Sequence, residues 1–79
     1  MSDLLNVLNR YSSTRKIRVL HHISKPASAI GLRAIDVAQD LNMSRQIATY
    51  TLNALVKDGV VRKDDRVFYI TQKGAKLLA

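Results

Sequence analysis

Between Ser44 and Lys57 the chain carries Arg45, Gln46, Thr49, Tyr50, Asn53 and Lys57. At about 100° per residue these side chains gather on one side of a helix, with Arg45 near its N-terminal edge. They are the residue types that read base edges. Arginine matches guanine O6 and N7, glutamine or asparagine matches adenine N6 and N7, and threonine can approach a thymine methyl. No acid interrupts this face before Asp58. A face that is only solvated mixes both signs, often as pairs three or four residues apart. Ser44 suits an N-cap, which leaves unpaired helix amides pointing at any phosphate near that end. The pattern points to recognition of a duplex in its major groove. Tyr50 has a second use open to it, packing against the first helix, and polar helix faces also serve protein partners.

Other chemistries find little footing. The chain has no cysteine and no glutamate, so thiolate catalysis, disulfides and zinc-finger ligation are excluded. His21 and His22 are adjacent and diverge by about 100° on a helix, so they cannot chelate one metal together. There is no glycine-rich phosphate loop and no nucleophile motif. No catalytic residue, metal site or cofactor is expected. The charge balance is informative: 13 Lys and Arg stand against six acids, all aspartates, for a net charge of +7. So basic a chain attracts a polyanion, either nucleic acid or an anionic membrane surface. Its apolar runs are far shorter than a membrane span. The Met1-Ser2-Asp3 start carries an acid where a signal peptide is positive, and a cytoplasmic location is expected. The cations Arg10, Arg15, Lys16, Arg18 and Lys25 form a second group; Arg10 reads as solvated surface, and Arg15 and Arg18 stay open.

The elements that must hold the polar face follow from the hydrophobic period. With 79 residues the chain supports one small domain, 1–79. Ser2 caps a first helix whose Leu4, Val7, Leu8 and Tyr11 share a side. A second helix over Arg15–Ser24 carries the stripe Ile17, Val19, Leu20 and Ile23, and Pro26 ends it. Ile30-Gly31-Leu32 reads as a short extended piece, too short for a sheet of its own. A third helix, Ala34–Leu41, stops at Asn42, a residue tolerant of the left-handed cap. The fourth runs from Ser44 to Asp58 before Gly59, seated by Ile47, Ala48, Thr51, Leu52 and Leu55. The period then becomes two: Val60-Val61-Arg62 and Arg66–Ile70 form a hairpin around a Lys63-Asp64-Asp65 turn. Thr71 caps a last helix that includes Leu77 and Leu78. The fold class is mainly α with a small β-hairpin (α+β), in the order α-α-β-α-α-β-β-α. It is a winged helix-turn-helix, with the helix pair at 34–58, the wing at 60–70 and the C-terminal helix at 71–79. Residues 1–13 read as a dimerisation helix. Leu4, Leu5, Leu8 and Tyr11, joined by Leu77 and Leu78, are more apolar surface than a chain this small hides alone. A homodimer built on these residues is expected, although they can also cap the monomer's own core.

The stretch Arg15–Leu78 resembles the winged helix-turn-helix domain of small bacterial and archaeal regulators of the ArsR and MarR kind. The matching pieces are Lys-Ile-Arg-Val-Leu-His-His-Ile (16–23), Gly-Leu-Arg-Ala-Ile-Asp-Val-Ala-Gln-Asp-Leu-Asn-Met-Ser (31–44), Leu-Asn-Ala-Leu-Val-Lys-Asp-Gly-Val-Val-Arg (52–62) and Tyr-Ile-Thr-Gln-Lys-Gly (69–74). The resemblance implies that Ser44–Lys57 is a recognition helix and that Arg62, Lys63 and Arg66 belong to a wing along the phosphate backbone or minor groove. Three departures stand out. The wing tip is Asp64-Asp65, which disfavours minor-groove insertion. The cysteine clusters of the metal-sensing branch cannot exist here, and the chain lacks the longer flanking helices that enclose a drug pocket. The implied protein is a dimeric transcriptional regulator that binds double-stranded DNA and acts by occupancy, with no small-molecule effector evident. A plasmid or phage accessory factor and a protein–protein adaptor are the alternatives.

Overall fold

The computed structural model describes residues 14–78. The expected N-terminal helix, with Leu4, Leu5, Leu8 and Tyr11, lies outside the described residues. Within them the order is α1 (Thr14–Ile23), a 3-10 turn (Pro26–Ser28), α2 (Ala34–Asp40), α3 (Arg45–Lys57), β1 (Val61–Asp64), β2 (Val67–Ile70) and α4 (Gln72–Leu78). This is the α+β winged arrangement expected from the sequence.

Helix α1 buries Val19, Leu20 and Ile23 in the core, while Ile17 packs at its margin. It stops one residue earlier than expected. Pro26 then does more than terminate: with its φ preset for helical geometry, it opens the 3-10 turn. The Ser28 hydroxyl, buried, donates to the His22 carbonyl at 3.1 Å and ties that turn back to α1. The extended piece that follows finds a partner after all. Leu32 pairs with Phe68 through both backbone bonds, at 3.0 and 2.7 Å, adding a one-residue third edge to the hairpin.

Helices α2 and α3 meet across a tight turn in which Asn42 takes φ 55°. Asparagine tolerates that left-handed conformation better than other side-chain-bearing residues. The Ser44 hydroxyl accepts from the Ile47 amide at 3.1 Å, the N-cap bond its type predicts. Helix α3 buries Ala48, Thr51, Leu52 and Leu55, and the Thr51 hydroxyl donates to the Ile47 carbonyl at 2.8 Å. Ile47 departs from the expected stripe: it is 37% exposed. At about 100° per residue it stands roughly 90° from the middle of the buried side, so it sits on a flank. Gly59, at φ 80°, ends the helix and turns the chain into β1.

The hairpin register is Val61↔Ile70, Arg62↔Tyr69, Lys63↔Phe68 and Asp64↔Val67. Lys63 and Asp64, expected in the turn, therefore lie in β1, and Asp65-Arg66 makes the turn. Asp65 takes φ 60°, a conformation aspartate tolerates. Helix α4 is capped by Thr71, whose hydroxyl accepts from the Gly74 amide at 3.1 Å and donates to the Gly59 carbonyl at 2.7 Å. Leu77 packs against the core and Leu78 remains 36% exposed, so the two do not share one surface.

Candidate nucleic-acid interface

The buried side of α3 fixes what its other side presents. Arg45, Gln46, Tyr50, Asn53 and Lys57 are exposed and Thr49 is half-buried. Arg45, Gln46, Thr49, Tyr50 and Asn53 line one shallow depression along the helix, and Lys57 continues it with Tyr50 and Asn53. Tyr50 is 71% exposed, so it projects outward. Among the described residues, none of these six side chains makes an internal hydrogen bond or ion pair. Ser44 spends its hydroxyl on the cap, while the amides of Arg45 and Gln46 have no partner within the helix.

A second wall joins this face. Arg33 and Ile35 at the start of α2, Arg45 and Thr49 on α3, and Lys63, Arg66 and Phe68 on the hairpin line one cleft. Four cations from three separate elements thus converge beside the depression on α3. Lys63 lies over the Phe68 ring at 5.5 Å, which holds its stem along the cleft floor. Arg33 is held by Asp36. The Asp36 carboxylate accepts from the Arg33 amide at 3.0 Å and from its Nε at 3.4 Å, leaving the terminal amino groups of the guanidinium for another acceptor. That backbone bond, opposed by burial and reinforced by the guanidinium, keeps the Asp36 carboxyl below the usual aspartate range.

Of the residues singled out from the sequence, the structure brings Arg45, Gln46, Thr49, Tyr50, Asn53, Lys57, Lys63 and Arg66 onto one continuous surface headed by Ser44. Arg62 is not with them. Alternation along β1 turns it to the opposite face from Lys63, where its guanidinium stacks on Tyr69 at 4.4 Å. Sequence reasoning missed Arg33. Its place follows from the Leu32–Phe68 bridge, which draws the start of α2 against the hairpin; the only local signal was a cation ahead of a helix. Ile35, 38% exposed, was missed for the same reason.

The remaining polar contacts are structural. His22 Nε2 meets Asp40 Oδ2 at 2.9 Å, joining α1 to α2, and Arg18 donates to the Leu41 carbonyl at 3.4 Å. Lys16 lies 3.8 Å from Asp58. Among the described residues there is no cluster of three or more histidine, aspartate or glutamate side chains able to hold a metal. Nor is any helix among them long and apolar enough to cross a membrane.

A helix pair joined by a tight turn, followed by a hairpin that flanks the second helix, defines a winged helix-turn-helix, a DNA-binding fold. The family model described as Winged helix-turn-helix matches residues 14–79, and the chain belongs to that family. No curated protein and no solved structure matches it.

Proposed function

We propose that the protein binds double-stranded DNA with sequence specificity, as a dimeric transcriptional regulator of the general ArsR and MarR kind. Helix α3 enters the major groove N-terminus first. Arg45, Gln46 and Asn53 read base edges, while Thr49 and Tyr50 supply methyl and backbone contacts. Lys63, Arg66 and Arg33 grip phosphates on the side of the wing, and Lys57 grips them further along α3. Bound over a promoter, such a protein represses by occupancy.

One observation carries this reading. The whole unpaired polar side of α3 is continuous with a four-cation cleft built from three elements. A net charge of +7 provides the long-range attraction that such a surface needs. Arg62 has no part in this surface and is left out of the DNA contact.

The test is selection of bound oligonucleotides from a random duplex pool, followed by titration of the selected site and of random duplex. The reading requires one preferred sequence, and Gln46→Ala should cost about 1–3 kcal/mol of discrimination between the two. Equal binding to every duplex removes sequence specificity; absence of binding in dilute salt removes DNA as the partner. The dimer has its own test. It rests on the apolar Leu4, Leu5, Leu8 and Tyr11 and on the exposed Leu78, with Leu77 reduced to core packing. Leu8→Asp and Leu78→Asp should each shift the sedimenting species to monomer, and the selected site should be a near-palindrome. An unchanged dimer mass in both variants sinks this seam, and a monomeric parent sinks the dimer itself.

A further inference from the structure

The hairpin face turned away from α3 holds a second groove. Its rim carries Lys25 and Arg62, and Pro26, Tyr69 and Ile70 give it an apolar wall beside the polar Ser24 and Ser28. Beyond one end Ile30 is 86% exposed, the most exposed large apolar side chain described. Gly31 makes the close approach here possible: at φ 92° it lies where a Cβ would collide with Val67 and the Tyr69 ring. The loop thus seals against the outer face of β2 and leaves Ile30 standing clear.

We propose that this groove docks a short acidic peptide segment of a partner protein, one aliphatic side chain on the apolar wall and flanking carboxylates on Lys25 and Arg62. Charge complementarity selects the sign of the occupant. Neither cation has a carboxylate partner among the described residues, and no acid lines the groove. Asp64, on the same strand face as Arg62, forms no ion pair with it. The apolar wall selects the rest. A phosphate backbone alone gains nothing from Ile70 and Pro26. A nucleobase would need a bare aromatic face, yet that of Tyr69 is already covered by Arg62 at 4.4 Å. A carboxylate can take the guanidinium edge-on without disturbing that stack, because the fork of donors lies in its plane. Alternation along β1 sets Arg62 opposite Lys63, so DNA on α3 and a peptide here do not compete. The inference stands whether or not α3 binds DNA.

The probe is a short capped peptide with one leucine between aspartates, titrated into isotope-labelled protein and followed by amide NMR shifts. Shifts centred on Lys25, Ala29, Arg62 and Tyr69 are expected. Binding should weaken about tenfold or more with Arg62→Glu, with Lys25→Glu, and with a peptide whose leucine is replaced by serine. Arg62→Gln, which removes the charge without reversing it, should give an intermediate loss and an unchanged spectrum elsewhere. Shifts spread over the surface and indifferent to the leucine would mean net charge alone, and would overturn the proposal. So would an absence of shifts, or movement of these same amides on adding duplex DNA.

Discussion

The two faces of the hairpin should contribute unequally to the salt dependence of DNA binding, and that difference can be measured. Four cations are assigned to phosphates: Arg33, Lys63 and Arg66 in the cleft beside α3, and Lys57 further along the helix. If each neutralises one phosphate, log affinity should fall against log salt with a slope of about −3.6 per protomer, at about −0.9 per contact. Raising salt roughly fourfold then weakens binding by about 150-fold. Lys63→Gln removes one contact, brings the slope to about −2.7 and reduces the same loss to about 40-fold. The neighbouring change Arg62→Gln removes an equal charge from the face turned away, and should leave the slope within about 0.3 of the parent. Gln46→Ala gives the complementary signature, an intact slope with lost discrimination. Fluorescence anisotropy on the selected duplex and on a random one, at several salt concentrations, reads all four proteins. Equal slope changes for Lys63→Gln and Arg62→Gln would show that the cations act only as diffuse charge. The assignment of the hairpin's inner face to DNA would then fail.

Three further outcomes follow from the fold. Gly74→Ala should destabilise by about 1–3 kcal/mol in thermal unfolding, although alanine is ordinarily preferred in a helix, because its Cβ would overlap the Val60 carbonyl oxygen. Asp65→Gly should stabilise by up to about 1 kcal/mol, since glycine accepts φ 60° freely. The same change removes an acid from the wing tip and should tighten binding to random duplex; weaker binding would contradict the wing's orientation. Asp36 is held below its ordinary 3.8, chiefly by the Arg33 amide, so the unfolded chain takes up this proton first as pH falls. Its contribution is therefore full above that range and is lost as pH drops through the lower folded value. Asp36→Asn should flatten the acid limb of a plot of melting temperature against pH, and an unaltered limb would discount the Arg33 contact.

How much of this was readable in the chain depended on whether local chemistry or tertiary pairing set each feature. Ser44, Asn42 and Gly59 declare the ends of the helix pair through capping and left-handed tolerance alone, so α3 and its polar face were legible residue by residue. Ile47 was misjudged because a stripe counted by residue type ignores that position 47 lies a quarter turn from its centre. The hairpin was visible as a period of two, but its phase was not. Val60 and Val61 are consecutive and both fully buried, so the pattern could not say whether Arg62 or Lys63 faces the helix pair. The backbone pairing of Lys63 with Phe68 decides it, and that pairing belongs to the sheet. Arg33 was hidden more deeply, since its position depends on one bridge across 36 residues, from Leu32 to Phe68.

The same geometry argues for two copies on one site. A specific site is bound about 4–10 kcal/mol more tightly than random duplex, and one good bidentate side chain supplies about 1–3 kcal/mol of that. Helix α3 offers three such side chains, Arg45, Gln46 and Asn53, and they lie along little more than two turns. One protomer therefore supplies about 3–9 kcal/mol, and reaches the upper part of the range only if all three pairs are near their best. The phosphate cleft cannot make up the difference, because its contacts favour all sequences alike. Two recognition helices on successive major grooves double the reading without lengthening the helix. The expectation is quantitative: a half-site should retain no more than about half of the full site's discrimination energy. A half-site that discriminates as well as the whole would place the specificity in a single protomer and remove the need for the dimer.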